Sequence, residues 1–276
     1  MQDQKESAAL RFLYGTAMGR LVLKLLCTRC LSRLCGRFLD SGVSKPLIRS
    51  FVRRHGIDLS EYVREEFKSF NDFFSRKIKE DRRPVASDPS ALIAPCDGLL
   101  SVYRISKDTV IPVKQSRYTI SSLLGGDSAF KHYQNGICLV FRLCVDHYHR
   151  YCYIDNGVKG ENVFLPGKLH TVRPIALEKF PVFSQNCREY TVINTENFGA
   201  VIQMEVGAML VGKIKNHHGP GNVRRGEEKG MFLYGGSTVI VLLEEGRAHL
   251  PEELYQATEN QIETPVKMGR RIGGKR

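Results

Sequence analysis

The residues that precede the last long apolar run of the chain combine two glycines with a hydroxyl side chain. The segment is Gly235-Gly236-Ser237-Thr238, and it leads directly into Val-Ile-Val-Leu-Leu. A glycine pair allows backbone conformations that other residues disfavour, and Ser237 presents its hydroxyl to the carbonyl of Gly236. This arrangement permits attack of a side-chain hydroxyl on the preceding peptide bond. The same residue types are common in hairpin turns, so the tetrapeptide alone leaves both interpretations open.

Two further segments carry groups that could assist such a reaction. Pro95-Cys96-Asp97-Gly98 places a carboxylate in a tight turn, although Asp-Gly is also a frequent hairpin signal. Residues 146–152 contain two His, a Cys, an Asp and an Arg, and histidine titrates near neutral pH. Ser237, a histidine and Asp97 would together supply a nucleophile, a base and an orienting carboxylate.

No metal or nucleotide site is predicted. The chain has no Gly-rich dinucleotide or phosphate motif and no His-Glu-x-x-His. Cys27, Cys30 and Cys35 lie in an apolar helical stretch without a second Cys or His pair at zinc-site distance, so they are predicted to be small apolar fillers. His217-His218, next to Gly-Pro-Gly, is predicted to lie in a surface loop.

The charge is concentrated at the two ends of the chain. The 276 residues carry a net charge of +12. Residues 1–56 hold 11 basic and 3 acidic side chains and residues 265–276 hold five basic and none acidic, which leaves −1 for the residues between them. A nucleic-acid enzyme would more often carry its basic patch across the functional core, and basic ends on a neutral body fit attraction to an anionic membrane surface at least as well. For the tail alone, a solvated disordered end is the favoured interpretation.

The stretch from residue 8 to residue 39 is rich in leucine but interrupted by arginine and lysine. Its longest uncharged run, residues 12–19, has eight residues, whereas a spanning helix needs about 20. The leucines are spread around the whole helix, which leaves two interpretations. The helices lie in a bilayer interface with basic side chains reaching outward, or they form a helical hairpin docked on a partner or on the rest of the chain.

The organisation of the chain follows from these patterns. Short apolar runs separated by Gly, Asn, Asp and Pro predict a mainly antiparallel sheet after residue 90. The expected fold is α+β, with N-terminal helices followed by a mainly antiparallel β sandwich or barrel-like body. Four regions are predicted: a membrane-associating helical segment at residues 1–42, a helical region with a linker at 43–89, a β-rich catalytic domain at 90–264 and a basic tail at 265–276. The cysteine content and the N-terminus favour a reducing, intracellular setting.

Taken together and in their order along the chain, the Asp97 turn, the histidine-rich segment at residues 146–152 and the Gly-Gly-Ser-Thr segment resemble the phosphatidylserine decarboxylase family. Gly-Gly-Ser-Thr, with the preceding Gly226-Glu-Glu-Lys-Gly-x-Phe232, is similar to that family's self-cleavage site. Pro95-x-Asp97-Gly98 is similar to its acidic turn and Tyr148-His149-Arg150 to its histidine motif. Further matches are Phe70-Asn-x-Phe73-Phe74-x-Arg76, Arg83-Pro84, Gly167-x-Leu169, Val172-x-Pro174, Asn186-x-Arg188, Val206-Gly-Ala208 and Val211-Gly212.

The resemblance implies an enzyme that makes its own cofactor. Self-cleavage between Gly236 and Ser237 would give chains 1–236 and 237–276 and convert Ser237 into a pyruvoyl group. That carbonyl would take up the amine of phosphatidylserine and act as the electron sink for loss of CO₂, leaving phosphatidylethanolamine. The implied partners are the lipid substrate and an anionic membrane surface on the cytoplasmic side, with no nucleic acid and no metal. A homodimer is compatible with the sequence.

The implied catalytic residues are Ser237, His149, Asp97 and Cys152. His149 is expected to transfer the proton in decarboxylation, because an imidazole with a near-neutral pKa can do so. The family's histidine motif usually continues to a second histidine, read as the base for self-cleavage, and here that position is Cys152. Cys152, His147 and a water near Asp97 remain candidates for the base, with Cys152 favoured as a bystander.

Two other classes of function remain as alternatives. One is a catalytically inactive relative that only binds lipid, which the intact Gly-Gly-Ser-Thr disfavours. The other is a serine hydrolase that uses Ser237, which the absence of a Gly-x-Ser-x-Gly motif disfavours.

Overall fold

The computed structural model describes residues 8–64, 66–106, 111–113, 116–126, 132–172, 174–177, 180–208, 213–233 and 237–276. In these residues the helices are α1 (Ala8–Gly15), α2 (Ala17–Leu26), α3 (Arg29–Asp40), α4 (Pro46–His55), α5 (Phe70–Phe74), α6 (Ile120–Leu123), α7 (Pro174–Leu177), α8 (Val182–Gln185) and α9 (Glu252–Glu259). Short 3-10 helices occur at Gly42–Ser44, Leu59–Glu61 and Glu80–Arg82.

The strands follow the N-terminal helices. They are β1 (Ala91–Ile93), β2 (Gly98–Arg104), β3 (Ile111–Val113), β4 (Ser116–Tyr118), β5 (Ile137–Leu143), β6 (Arg150–Cys152), β7 (Gly157–Lys159), β8 (Val163–Leu165), β9 (Arg188–Thr195), β10 (Gly199–Val206), β11 (Ile214–Asn216), β12 (Gly221–Val223), β13 (Glu228–Phe232), β14 (Ser237–Leu243), β15 (Ala248–His249), β16 (Thr264–Val266) and β17 (Arg271–Lys275).

These strands form a mixed α+β fold with mainly antiparallel sheets, as predicted. The largest sheet has the order β12-β7-β9-β10-β14-β5-β2-β16, and β8 also pairs with β9. This sheet is open in the described part of the chain, with β12 and β16 at its two edges. Smaller sheets have the orders β1-β17-β15, β11-β13-β6 and β3-β4.

Strand β14 occupies the centre of the largest sheet and is buried along its whole length. Ile240 and Leu242 belong to one apolar core, and Val239 and Leu243 belong to the core on the opposite face. A strand covered on both faces needs a continuous apolar run rather than an alternating one, and this is the pattern that follows Ser237.

Helices α1 and α2 pack on the body of the protein through one side. Tyr14, Leu23 and Cys27 are buried in the same core as Ile240. The helices are therefore docked on the rest of the chain, which is one of the alternatives expected for this stretch. Cys27 lies in the apolar core as predicted, with its Sγ 3.6 Å from His170 Nδ1. On the outer side Phe12, Met18 and Leu21 are 46%, 64% and 63% exposed. Among the described residues, no helix is both long enough and apolar enough to span a bilayer.

Helices α3, α4 and α5 enclose a separate cluster of aromatic side chains, here called the phenylalanine cluster. Its buried members are Leu39, Phe67, Phe70, Phe73 and Phe74, and Cys35 packs against them as another apolar filler. The side chain of Cys30 lies outside those described. Helix α4 has proline at its first position and is capped after His55 by Gly56, whose φ of 61° is left-handed.

The interpretation of the C-terminal tail as a disordered end is wrong. β16 pairs with β2, and β17 lies between β1 and β15. Backbone pairing in β17 does not depend on side-chain charge, and its charged residues Arg271 and Lys275 are exposed while Ile272 is buried. Gly273 allows a close approach, because a Cβ there would lie 2.4 Å from the carbonyl oxygen of His249.

Candidate active site

Ser237 opens β14 and pairs with Leu143 of β5. Its side chain is 1% exposed, and its Oγ has no hydrogen-bond partner in the part of the chain that the structure describes. Burying a hydroxyl without a partner costs free energy, so such groups are rare and usually have a specific role. Gly236 lies outside the described residues.

His149 lies just before β6 and is fully buried. Its Nδ1 is 2.9 Å from the carbonyl oxygen of His147, and because a carbonyl can only accept, Nδ1 donates this hydrogen bond. In the neutral imidazole the lone pair is then on Nε2. Nε2 is also buried and has no hydrogen-bond partner among the described residues. The geometry leaves a basic nitrogen available for a proton.

The expected near-neutral pKa of His149 is wrong. Burial of the imidazole is the main cause that lowers its pKa to about 3, and the charge of Arg76 acts in the same direction. The ring of Phe74 covers it at a centroid distance of 4.1 Å. At neutral pH the imidazole is therefore uncharged, so Nε2 carries a free lone pair and no proton, and the low pKa makes this nitrogen a weak base.

Ser237 and His149 lie on the two sides of the segment that contains Gly236. The N–H of Phe232 donates to the carbonyl oxygen of His149 at 2.9 Å, and Leu233 packs against the phenylalanine cluster whose member Phe74 covers His149. Ser237 is the first residue of β14. Because consecutive Cα atoms are about 3.8 Å apart, Leu233 and Ser237 are at most about 15 Å apart.

Asp97 lies at the same end of the sheet as Ser237. Leu99 of β2 and Thr238 of β14 both pair with Arg142 of β5. Because β5 lies between β2 and β14, these two strands are two interstrand distances apart, or about 10 Å. The Asp97 carboxylate accepts two hydrogen bonds from Arg83, at 2.8 Å and 2.6 Å, and one from the N–H of Met268 at 2.9 Å.

Asp97 therefore has Arg83 as its side-chain partner and no hydrogen bond to a histidine among the described residues. Arg83 and Asp97 are both nearly buried, which makes the ion pair a fixed feature of the site. Sequence reasoning noted Arg83 only as part of a matched motif and assigned no role to it. Its spacing of 14 residues from Asp97 gave no local signal of the pairing.

Cys152 ends β6 and is buried in the same core as Val239. Its N–H donates to the carbonyl oxygen of Pro95 at 2.8 Å, which holds it next to the Asp97 turn. Burial raises the pKa of its thiol to about 12. The side chain is therefore a neutral thiol at physiological pH, a poor base for removing a proton from a hydroxyl.

His147 lies in the turn that follows β5. Its Nδ1 accepts a hydrogen bond from the N–H of Cys144 at 3.1 Å, and burial lowers its pKa. Cys144, Asp146 and His147 each bring a potential metal-ligand atom within 4.8 Å of the others. The Cys144 sulfur already accepts from the guanidinium of Arg142 at 3.5 Å, so the environment does not favour a cation.

His217 and His218 follow β11 in a loop, as predicted.

The buried state of His149 should make the protein less stable in acid. Between pH 6.5 and about 3 only the unfolded chain binds the proton of this residue. The free energy of unfolding should therefore fall by about 1.4 kcal/mol for each pH unit below 6.5 from this residue alone. Urea unfolding would be compared at about pH 7 and about pH 5. It would use Ser237→Ala, which lacks the hydroxyl of the self-cleavage that the family resemblance implies.

The matched protein carries His149→Gln in the same Ser237→Ala background. It should lose a smaller part of its stability between the two pH values, because glutamine does not titrate. An equal loss in both proteins would contradict the burial of His149 as a neutral imidazole.

Comparison with known proteins identifies the family. The sequence profile described as Phosphatidylserine decarboxylase matches residues 70–274. A protein of Clostridium acetobutylicum named phosphatidylserine decarboxylase proenzyme 2 is 44% identical over 99% of this chain and 94% of its own length. Proteins of Clostridium botulinum and Clostridium beijerinckii named phosphatidylserine decarboxylase proenzyme are 39% and 37% identical, over 97% and 96% of this chain and 92% of their own lengths. The chain therefore belongs to the phosphatidylserine decarboxylase family and is a decarboxylase.

Proposed function

We propose that this chain cleaves itself between Gly236 and Ser237 and then converts phosphatidylserine to phosphatidylethanolamine and CO₂. The observation that carries the proposal is the pair of buried atoms without hydrogen-bond partners, Ser237 Oγ and His149 Nε2, on the two sides of the segment that contains Gly236. The word "proenzyme" in the names of the relatives supports a processing step.

The first step is an exchange of an amide for an ester. His149 Nε2 takes the hydroxyl proton of Ser237 while Oγ attacks the carbonyl carbon of Gly236. The bond from that carbon to the nitrogen of Ser237 breaks, and His149 returns the proton to this nitrogen. Gly236 is then linked to Ser237 through Oγ, and His149 is neutral again.

The second step separates the chains. Removal of the Cα proton of Ser237 is followed by cleavage of the Cβ–Oγ bond, so that chain 1–236 leaves as a carboxylate that contains the former serine oxygen. The remaining dehydroalanine takes up water and releases ammonia, which leaves a pyruvoyl group on chain 237–276. Ser237 suits this group because it is the first residue of a buried strand and its side chain has no competing hydrogen bond.

The pyruvoyl carbonyl supplies the electron sink for loss of CO₂. The residues of the chain handle the proton. His149 Nε2, whose lone pair is free at physiological pH, is proposed to relay the proton that the ammonium group of the substrate loses to the carbon that has lost CO₂. Asp97, held by Arg83, adds a fixed negative charge beside Cys152, and the burial of Phe74 and His149 keeps water from this side of the site.

Intact mass and denaturing electrophoresis of the purified protein test the cleavage. We expect chains 1–236 and 237–276, and the smaller chain should have no free N-terminal amine. A single chain without decarboxylase activity would instead support the inactive lipid-binding alternative, and a single chain with esterase activity would support the hydrolase.

The same protein is proposed to act at the cytoplasmic face of a membrane, as a peripheral protein. The supporting feature is the outer side of α1 and α2, where Phe12, Met18 and Leu21 are exposed next to Arg11 and Arg20. Apolar side chains in the interface with basic side chains around them are typical of helices that lie on a bilayer.

Replacement of Phe12, Met18 and Leu21 by serine should therefore release the protein from vesicles. Each inserted side chain contributes on the order of 1.5 kcal/mol or more, so the partition coefficient should fall by well over tenfold. Co-sedimentation with vesicles is the measurement. These point changes are preferable to removal of residues 1–42, which would also uncover the buried Tyr14 and Leu23.

The matched control replaces Val158, Phe164 and Ile262 by serine, since each is 53% exposed outside the N-terminal helices. This control protein should bind vesicles like the unmodified protein. Equal loss of binding in both proteins would contradict the assignment to α1 and α2.

A further inference from the structure

Helix α4 has two faces of opposite character. At 3.6 residues per turn, Ile48, Phe51 and Val52 fall on one side, and all three pack against the phenylalanine cluster. The rings of Phe70 and Phe73 lie 5.2 Å and 5.8 Å from that of Phe51. The helix is thus fixed to the body by its inner face, and its outer face has a defined orientation.

The outer face of α4 is strongly basic. Arg49, Arg53 and Arg54 are exposed and, with Pro46 and Ser50, line an open surface cavity of about 430 Å³. None of the three arginines has an acidic partner among the residues that the structure describes. By contrast, the exposed arginines Arg104, Arg247 and Arg271 each form an ion pair.

Exposed apolar side chains border this basic face. Leu47 of α4 is 43% exposed, and Val43, one turn earlier in the chain, is 75% exposed. Lys45, between them, is exposed as well. Guanidinium groups match the geometry of phosphate oxygens, whereas apolar side chains beside them are suited to the acyl boundary of a bilayer and not to nucleic acid.

We propose that the outer face of α4 binds the phosphate groups of anionic phospholipids at the bilayer surface, as a contact site separate from residues 1–42. The proposal rests on the membrane association proposed above and adds the lipid class and the residues. Phe51, on the inner face, contacts the cluster that contains Phe74, and Phe74 covers His149. The proposed headgroup site and His149, the proposed base, therefore lie on opposite sides of the phenylalanine cluster.

Vesicle binding of the full-length protein tests the proposal. The test variant carries Arg49→Gln, Arg53→Gln and Arg54→Gln. The vesicles are phosphatidylcholine with and without phosphatidylglycerol, an anionic lipid that has no amine and cannot serve as substrate. Each basic residue near an anionic surface contributes about 1 kcal/mol, so binding to the anionic vesicles should fall at least about tenfold. Binding to pure phosphatidylcholine should change little.

The matched control carries Arg270→Gln, Lys275→Gln and Arg276→Gln, three exposed basic residues near the C-terminus. It removes the same charge and should retain most of the binding. An equal loss in both variants would show a general effect of net charge and overturn the site. Inorganic phosphate would also be added at a concentration equal to that of the lipid phosphate. If it displaced the unmodified protein from the anionic vesicles, the proposal would be overturned, because the arginines would then bind a small anion as well as a bilayer surface.

Activity on detergent-dispersed phosphatidylserine separates this proposal from the proposed function. The α4 variant should cleave itself and decarboxylate the dispersed lipid at the unmodified rate, since none of its changes lies in the candidate active site around Ser237, His149 and Asp97. If the unmodified protein neither cleaves nor decarboxylates, the proposed function fails whatever the vesicle result. If it does both and the α4 variant still binds anionic vesicles normally, the headgroup site alone fails.

Discussion

The Ser237→Ala protein is expected to be isolated as one chain of 276 residues without decarboxylase activity. The methyl group of alanine cannot attack the carbonyl carbon of Gly236, so no ester forms and no pyruvoyl group can follow. The loss should be complete rather than partial, because the cofactor itself is missing. Folding should be retained, since the change removes only a buried hydroxyl that has no hydrogen-bond partner among the described residues.

Thr238→Val is the matched control for this experiment. Thr238 is the neighbouring residue of β14, it is also buried, and its Oγ1 also has no partner among the described residues. Its side chain lies on the other face of the strand, so the valine protein should still separate into two chains. Cleavage of the Ser237→Ala protein would disprove the mechanism, and failure of cleavage in both variants would point to a disturbed strand.

The His149→Gln protein should cleave itself about 10²- to 10⁴-fold more slowly than the unmodified protein, the range in which a positioned acid–base group contributes. The reason is that His149 carries a free lone pair on Nε2 in a buried, neutral ring. Cys152→Ser should cleave at nearly the unmodified rate, since burial keeps Cys152 a neutral thiol. Cell-free synthesis followed by electrophoresis at timed intervals gives the rate from the first minutes of the chain's existence.

His170→Gln is the matched control for His149→Gln. His170 is also buried with an Nε2 that has no partner among the described residues, but it packs with Tyr14 and Phe180 under the N-terminal helices. Its replacement should leave cleavage unchanged. Slow cleavage in Cys152→Ser or in His147→Ala, with normal cleavage in His149→Gln, would transfer the role of the base to the residue that was changed.

The strand that carries Ser237 was predictable, whereas the state of His149 was not. The continuous apolar run after Ser237 and the turn residues before it are local signals, and both are read within one segment. The low pKa of His149 comes from burial against Phe74, which is 75 residues earlier in the chain and whose position depends on the fold of α5. From sequence alone, a histidine in a polar segment is expected to have a near-neutral pKa. Burial in the folded protein lowers that pKa for His149.

The C-terminal tail and the Asp97 turn show the same limit. Charge and glycine content indicated a solvated tail, but the pairing of β17 with β1 and β15 depends on strands that lie far from it in the sequence. The turn at Asp97 was recognised from Asp-Gly, while its ion pair with Arg83 depends on how the linker crosses the body. Pairings between distant segments leave no periodic signal in either partner.

The position of β14 between β10 and β5, with β17 between β1 and β15, changes what unfolding means once the chain has been cut. Before processing, refolding is first order in protein, because every strand belongs to one chain. If the chain is cut as proposed, the 237–276 chain supplies an inner strand to each of two sheets, and the two chains form one folding unit without a peptide bond between them. Its refolding becomes second order and slows on dilution. At low concentration we expect the lifetime of such a cleaved protein to be set by its unfolding rate.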